Sequence, residues 1–440
     1  MIIEPRVLKG FRDSLPKQEL KKRDLIHSLE MKFRSFGFEP IDTPVLEYTE
    51  VLLGKGSGET DKQIYRFKDN GKRDVAMRFD LTVPFARYMA GHIHELYEPF
   101  KRYHIAKVWR GENTQRGRYR EFFQCDFDIV GVDTLSADFE ILLMMYQSLK
   151  GIGIEAFTIK VSHRGVFNAF LDRYDIQEKS TEILRIVDKL AKIGRENVIS
   201  QLNELIDEKI ALSILSFIED KGSFKTTFEN MVELSGGVTD ASKRLSGIFD
   251  LIDSLGLQDF FMLDPSITRG LDYYTGIVYE TILDANPTIG SVCSGGRYNE
   301  LASLYTKKSL PGVGASIGLD RLLAALEDNE DKKSNERTVD VIVFDLDEEL
   351  LSVYHRTAQE LRTAGLRVEV FPKKKKLPQQ FKFAERKDIP FGIFIGSDEA
   401  EKGVLTLRNL VERSEHKNIT CSDAAEIINK KLEISCDKTP

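Results

Sequence analysis

Between Leu20 and Phe36 the apolar positions Leu25, Leu29, Phe33 and Phe36 return at intervals of three or four residues, and Gly37 follows as a C-terminal stop. That spacing lays one apolar stripe along a helix. A strand is expected next, from Phe38 to Val45, where Pro40 and Pro44 lack the N–H that an interior ladder needs and so confine it to an edge or a bulge. Val75 to Phe79, Tyr103 to Arg110, Glu121 to Ile129, Ile277 to Leu283 and Gly312 to Ile317 carry alternating or β-branched positions between glycine-containing turns. These predict a mostly antiparallel sheet. From about Gly165 to Leu257 the pattern turns helical, with Ile183, Ile186, Val187, Leu190 and Ile193 on one face, so a helical block interrupts the sheet-forming part.

The run from Asp328 to Arg337 holds no apolar side chain and nothing to anchor it in a core, which predicts a linker. Beyond it, Val339 to Phe344, Leu366 to Phe371 and Phe391 to Ile395 look like buried strands, and Glu348 to Ala364 and Leu377 to Lys387 look helical. Alternation of this kind predicts a parallel-containing α/β domain. The expected class is therefore α+β. An antiparallel-sheet domain takes residues 1–164 and 258–327, a helical insertion 165–257, the linker 328–337 and the α/β domain 338–440.

Composition narrows the class without choosing a function. At 440 residues the chain exceeds one core and is expected to split into two or three domains, and its hydrophobic fraction of 41% is ordinary. No apolar run approaches the ~20 residues of a bilayer span. Residues Met1 to Arg6 match neither a signal peptide nor an Arg-rich transit peptide, so a cytoplasmic protein with no membrane partner is expected. Cys125, Cys293, Cys421 and Cys436 are scattered without Cys-x-x-Cys spacing, which predicts reduced thiols and neither a disulfide framework nor a protein-held metal.

A net charge of −7 argues against sequence-independent nucleic-acid binding over the whole surface, since that affinity comes from cations neutralising phosphates. Local charge differs. Lys101, Arg102, Lys107, Arg110, Arg116, Arg118 and Arg120 face the single acid Glu112 in one stretch. A charge run is most often a solvated face, but mixed Lys and Glu would serve solubility equally, so a concentrated cationic loop is expected. A second cluster, Arg269-Gly270-Leu271-Asp272-Tyr273-Tyr274-Thr275-Gly276, sets an arginine, an acid and two tyrosines between glycines. Guanidinium neutralises phosphate bidentately and phenol hydroxyls hold a small polar ring, which suits the joining of a nucleotide to a polar metabolite.

These two stretches, Trp109 to Gln124 and Arg269 to Gly276, followed by Gly312 to Arg321, resemble in sequence and order the histidyl-tRNA synthetases, a class II aminoacyl-tRNA synthetase family. The resemblance runs from Gly10-Phe11-Arg12-Asp13 to the stretch ending at Leu410. It implies activation of histidine by ATP to histidyl-adenylate and pyrophosphate, then transfer to the 3′ end of histidine tRNA. By family match Arg110 contacts the α-phosphate, Arg118 and Arg321 hold the β and γ phosphates, Glu112 lies near the adenine amino group, and Phe122 stacks on adenine. Arg269 stands where most class II enzymes use a metal and is the implied catalytic electrophile beside Arg110, with Mg²⁺ accompanying the β and γ phosphates. Asp80, Thr82 and Gln124 hold the amino end of histidine, while Asp128 and Tyr274 face the imidazole with Tyr273 nearby.

Some family members carry glutamate where Asp80 and Asp128 stand, which keeps the charge and changes the reach. The resemblance also places Gln115 and Arg116 near the tRNA acceptor stem, Lys373 to Lys376 near tRNA phosphates, and a homodimer interface on the first helix and the proline-containing strand. It sets the helical insertion over the cleft and anticodon binding in the last domain. Buried hydrogen bonds reject analogues by about 10⁴–10⁵, and no segment is left over for editing.

Gly295-Gly296-Arg297-Tyr298 resembles a stretch lining the histidine pocket, although a glycine pair before an arginine is also an ordinary tight turn. His104 and His163, solitary beside strand residues, are expected to be structural. Two non-catalytic relatives share the outline: a regulatory subunit of a histidine-biosynthetic transferase, and a tRNA sensor with eroded ATP residues. The first typically lacks the histidine-specific stretch and the anticodon domain, and the intact arginines argue against the second.

Overall fold

The computed structural model describes residues 2–54, 62–267, 274–327, 337–373 and 375–436. Arg269, Tyr273, Lys374 and residues 328–336 of the expected linker lie outside the described residues. The chain divides into two compact units, Met1–Asp331 and Lys332–Pro440.

The first unit contains β1 (Glu39–Pro40), β2 (Leu46–Tyr48), β3 (Arg66–Lys68), β4 (Asp74–Met77), β5 (Phe100–Trp109), β6 (Glu121–Val130), β7 (Phe157–His163), β8 (Phe261–Leu263), β9 (Ile277–Leu283), β10 (Cys293–Tyr298) and β11 (Gly312–Gly318). Eight of them form a sheet in the order β1-β5-β6-β11-β10-β9-β7-β8. Its six inner strands pair antiparallel throughout, and only the edges, β1 on β5 and β8 on β7, are parallel. β5 and β6 pair along ten rungs, from Phe100 opposite Val130 to Trp109 opposite Glu121. The period of two then sorts β6: Cys125, Phe127 and Ile129 enter the core, which leaves Phe122, Gln124, Asp126 and Asp128 on the other face.

The helix Pro16–Ser35 buries Leu25, Leu29 and Phe33 as its stripe requires, with the Phe33 ring 5.0 Å from that of Phe127. It begins earlier than expected because Pro16 suits a first helical turn, where its missing N–H has no intrahelical partner to lose. The expected Phe38–Val45 strand contracts to the two residues of β1 at the sheet edge, and pairing resumes only at β2, after Pro44. Helices occupy most of the span from Arg164 to Ser254, between β7 and β8. Their Ile183 and Val187 join the same core as Ile159 and Val161 of β7, and the run expected as one face splits at Asp188-Lys189 into Ser180–Val187 and Leu190–Ile193.

β10 occupies the place of the tight turn that Gly295-Gly296 suggested. Glycine is required there by crowding: a Cβ on Gly295 would lie 2.1 Å from the Gly314 carbonyl oxygen, and one on Gly296 2.6 Å from that of Ile277. Low strand propensity is overridden by the close approach of neighbouring backbone.

The second unit holds β12 (Val341–Val343), β13 (Val368–Val370), β14 (Phe391–Phe394), β15 (Leu405–Asn409) and β16 (Glu415–Ile419), in the order β13-β12-β14-β15-β16. β12 runs parallel to β13 and β14, whereas β14, β15 and β16 are antiparallel neighbours. The helices Leu351–Thr363 and Leu377–Arg386 close near their expected limits. Tyr354, Leu361, Ile393, Leu407 and Ile428 share the unit's main core.

Candidate active site

A cavity of about 320 Å³ opens on the first unit's sheet, walled by side chains of β6, β9, β10 and β11 and by the loop joining β5 to β6. Asp80, Thr82, Arg110, Glu112, Arg118, Phe122, Gln124, Tyr274 and Arg321, all expected at the site, line it together. Ser316, from the Gly312–Arg321 stretch, lines it as well, and so does Tyr279, which no motif singled out.

One part of the wall is acidic. Asp80 sits just before the helix Thr82–Gly91, where one of its oxygens accepts from the Val83 N–H at 3.1 Å. Gln124 Nε2 donates to Ser316 Oγ at 2.9 Å. Asp80 Oδ2, Asp126 Oδ1 and Gln124 Oε1 are buried with no protein hydrogen-bond partner. Burial pushes Asp80 up to about 6, against the pull of the Val83 N–H and of Arg110. It pushes Asp126 up to about 7, against the pull of Arg102. Asp128 stands behind the wall. Its Oδ2 lies 2.6 Å from Arg102 Nη2 and its Oδ1 accepts from the Tyr298 hydroxyl. Gly314, directly across from it on β11, provides its space, because a Cβ there would fall 1.9 Å from Asp128 Oδ1.

The cavity lining is also cationic. Arg110 Nε donates to the Phe79 carbonyl at 2.8 Å, and its guanidinium carbon lies 5.1 Å from the centre of the Phe122 ring. Arg118 pairs with Glu112, and Arg321 donates to the Ser291 carbonyl at 2.6 Å. The loop turns over Gln115 to Arg118, whose backbones exchange two hydrogen bonds. Gly117 takes φ +70° at the third position, as a type II turn demands, and packs 3.3 Å, as an added Cβ would measure it, from Arg321 Cα. Gln115 and Arg116 lie at this tip, outside the cavity wall, with Arg116 Nη2 3.4 Å from the Ala324 carbonyl.

The expected cationic loop is smaller than the charge run. Lys101 pairs with Glu140 and Lys107 with Glu121, at 2.5 and 2.7 Å, while Arg102 is fully buried against Asp128. Their acids come from β6 and from the helix Leu135–Gly151, so the imbalance exists only along the chain. Arg110, Arg116, Arg118 and Arg120 remain at the loop.

The Gly10-Phe11-Arg12-Asp13 motif acquires a position. The Gly10 carbonyl accepts from the Arg120 N–H at 2.9 Å, and Arg12 pairs with Asp320 while its guanidinium lies 4.0 Å above the Tyr119 ring. Asp320 also accepts from the Phe123 N–H at 2.7 Å. The segment thereby ties the arginine loop to the helix Leu319–Glu327 that bears Arg321.

Arg297 and Tyr298 separate in role. Arg297 points into a buried network, where its Nε donates to Asp138 at 2.8 Å and Arg244 Nε donates to the same carboxylate at 2.6 Å. Tyr298 holds Asp128. His163 caps the helix Arg164–Asp172 by accepting from the Gly165 N–H at 3.0 Å, and His104 Nε2 lies 2.9 Å from Asp42. Neither lines the cavity.

Residues 10–322 match the family model of the histidyl-tRNA synthetases. The chain belongs to the histidyl-tRNA synthetase family. Residues 338–431 match the model of an anticodon binding domain. A histidine–tRNA ligase of Treponema denticola is 50% identical over 403 residues, which is 90% of each chain. The crystal structure of histidyl-tRNA synthetase from Nostoc sp. PCC 7120 superposes with a TM-score of 0.86 at 32% identity, covering 98% of this chain and 100% of that one. A Bacillus halodurans structure titled as an ATP phosphoribosyltransferase regulatory subunit/histidyl-tRNA synthetase superposes with a TM-score of 0.75 at 23% identity over 90% of this chain and 100% of that one, which speaks to fold alone. Among the described residues no helix is long and apolar enough to cross a membrane, and no group of three or more His, Cys, Asp or Glu is arranged to hold a metal.

Proposed function

We infer that this chain is a histidine–tRNA ligase, which activates histidine with ATP and then esterifies histidine tRNA. The observation that carries the reading is the charge of one cavity: Arg110, Arg118 and Arg321 line it as cations for a polyphosphate, and buried Asp80, one oxygen of which has no protein hydrogen-bond partner, lines it as an acid for an ammonium. In the first step a carboxylate oxygen of histidine attacks the α-phosphorus of ATP and pyrophosphate leaves with the electrons of the broken P–O bond. Two anions must meet, so the work of the protein is alignment and fixed positive charge. Arg110 and Arg269 are assigned to the α-phosphate, Arg118 and Arg321 to the β and γ phosphates, Glu112 to the adenine amino group, and Phe122 to the adenine face. Asp80, Thr82 and Gln124 take the α-amino end, and Asp128, Tyr273 and Tyr274 the imidazole side. No side-chain nucleophile is required.

Mg²⁺ fits as an ion carried by the nucleotide. Of the four acids of the cavity wall, Asp80, Glu112, Glu280 and Asp320, the two nearest the arginine loop, Glu112 and Asp320, are engaged by Arg118 and by Arg12, so the ion would take its oxygens there mainly from phosphates and water. Bound there, it would neutralise charge on the pyrophosphate leaving group. In the second step the terminal adenosine hydroxyl of tRNA attacks the adenylate carbonyl. The helical span 165–257 is assigned to the acceptor end, the domain 338–440 to the anticodon, and Lys373 to Lys376 to tRNA phosphates. Exposed Met31, Leu46 and Tyr48, on the first helix and on β2, support a homodimer that covers this region.

Pyrophosphate exchange measured with each of the twenty amino acids tests the reading: exchange is expected with histidine alone and is expected to vanish in Arg269→Ala. Exchange with no amino acid would sink it. For tRNA, Arg116→Ala is expected to lower charging by about tenfold or more through loss of a charged contact, with little change in exchange. Equal losses in the two assays would remove Arg116 from the tRNA interface.

A further inference from the structure

Arg102 has no role in the assignments above, yet it is among the largest fully buried side chains of the chain. It projects from β5 directly across from Asp128 of β6 and lies over Phe85, its guanidinium carbon 4.2 Å from the ring centre. The contact with Asp128 is an ion pair at 2.6 Å, and none of the three guanidinium nitrogens makes a hydrogen bond of regular geometry. A buried arginine is ordinarily held by a fork of hydrogen bonds, because leaving its donors unmet in the interior is costly. This one is held by charge.

The charged and titratable groups around it come from several elements. Asp126 and Asp128 stand on β6, Asp80 before the helix Thr82–Gly91, His104 two residues along β5, Tyr298 on β10, and Arg78 after β4. His104 is pulled down to about 3 by burial and by Arg102 and Arg78, so it is neutral and supplies no second cation. Arg78 is turned towards Lys107, Thr43 and Asp42. Three buried carboxylates thus gather around one buried arginine, two of them with an oxygen that has no protein partner.

We propose that Arg102 is a positioning residue for histidine selection: it holds Asp128 in place and keeps the acids of the pocket ionised, ready for the cationic and N–H groups of the amino acid. The proposal rests on the ligase reading. Burial holds Asp80 up to about 6 and Asp126 up to about 7 against the pull of Arg102, so the KM for histidine in the wild-type chain is expected to fall as pH rises through that window, with the titration of histidine's own imidazole common to every variant. Losing an adjacent opposite charge lifts a carboxylate by about 1–3 units, and each unit above the working pH is a tenfold loss of ionised form.

The experiment is histidine-dependent pyrophosphate exchange on the full chain between about pH 6 and pH 9, with KM for histidine, KM for ATP and kcat taken at each pH. Arg102→Met keeps an unbranched, shorter side chain without the charge. It is expected to raise KM for histidine at pH 7 by about tenfold or more and to move the midpoint of its pH dependence up by about one unit or more. KM for ATP should hold, and kcat should change less than KM for histidine. Arg102→Lys keeps the cation, serves if the methionine chain does not fold, and is expected to retain the wild-type midpoint. An unmoved midpoint in the methionine variant, with only kcat reduced, would assign Arg102 to packing, and a shifted midpoint in the lysine variant would overturn the role of charge. A wild-type chain that exchanges with no amino acid removes the ligase reading and this inference with it; wild-type exchange with an unmoved methionine midpoint removes the inference alone.

Discussion

Arg110→Ala is expected to lower kcat/KM for histidine-dependent pyrophosphate exchange by about 10³-fold, equivalent to roughly 4 kcal/mol of lost transition-state stabilisation. The geometry gives the reason. The Nε hydrogen bond to the Phe79 carbonyl fixes the plane of the guanidinium, and Phe122 at 5.1 Å and Phe79 at 5.8 Å flank it. Glu112 is no closer than 3.9 Å to its Nη1, so the nearest acid does not consume the charge. Arg118, by contrast, is engaged with Glu112. A cation aimed at the α-phosphate gains most when negative charge spreads over the transferring oxygens, so kcat should fall more than KM for ATP rises. Arg110→Lys is expected to recover only part of the loss, because an ammonium cannot reproduce the planar fork. If the alanine variant raised KM for ATP at unchanged kcat, Arg110 would be a ground-state anchor and the assignment to the reacting phosphate would fall.

Much of this site was legible because its residues are charged and sit in short motifs bounded by glycine. Arg110, Glu112, Arg118 and Phe122 fall on one loop and the strand that follows it, and Asp80 and Arg321 sit next to helix starts. The first helix was legible for the simpler reason that one stripe of Leu25, Leu29 and Phe33 has to be buried.

What escaped depends on partners far apart in sequence. Arg102 looked like one more cation in a basic run, since the residue that defines it, Asp128, becomes its neighbour only when β5 pairs with β6. Tyr298 and Gly314 stood in stretches that the sequence did single out, but their shared contact with Asp128 escaped for the same reason. β10 read as a turn because glycine disfavours strands in isolation, and the crowding that demands glycine comes from β9 and β11 on either side. The antiparallel half of the second unit was hidden similarly. Leu405 and Leu407 alternate with polar residues over only a few positions, and β16 is exposed over most of its length.

The largest expected loss of stability comes from Asp138→Ala. Asp138 is fully buried on the helix Leu135–Gly151, where it accepts from Arg297 Nε at 2.8 Å and Arg244 Nε at 2.6 Å. Arg297 belongs to β10, and Arg244 to the helix Asp240–Ser254, the last of the helical span between β7 and β8. One carboxylate therefore ties that span to the central sheet. With it removed, the acid partner left to buried Arg297 among the described residues is the more exposed Asp133, at 3.4 Å. Removing one member of a buried pair costs about 3–5 kcal/mol, most of it the cost of a stranded charge, and for a unit of this size that lowers the melting temperature by on the order of 10 °C. Replacing both members by apolar residues of similar volume should be far cheaper, so Asp138→Leu with Arg297→Met is expected to melt above Asp138→Ala. The loss should reach the substrate too, since Tyr298, the residue after Arg297, holds Asp128, and KM for histidine should rise in the alanine variant at temperatures where it remains folded. An Asp138→Ala chain that melts within a degree or two of wild type would show that the network carries no net stability and that the helical span is held by its apolar contacts alone.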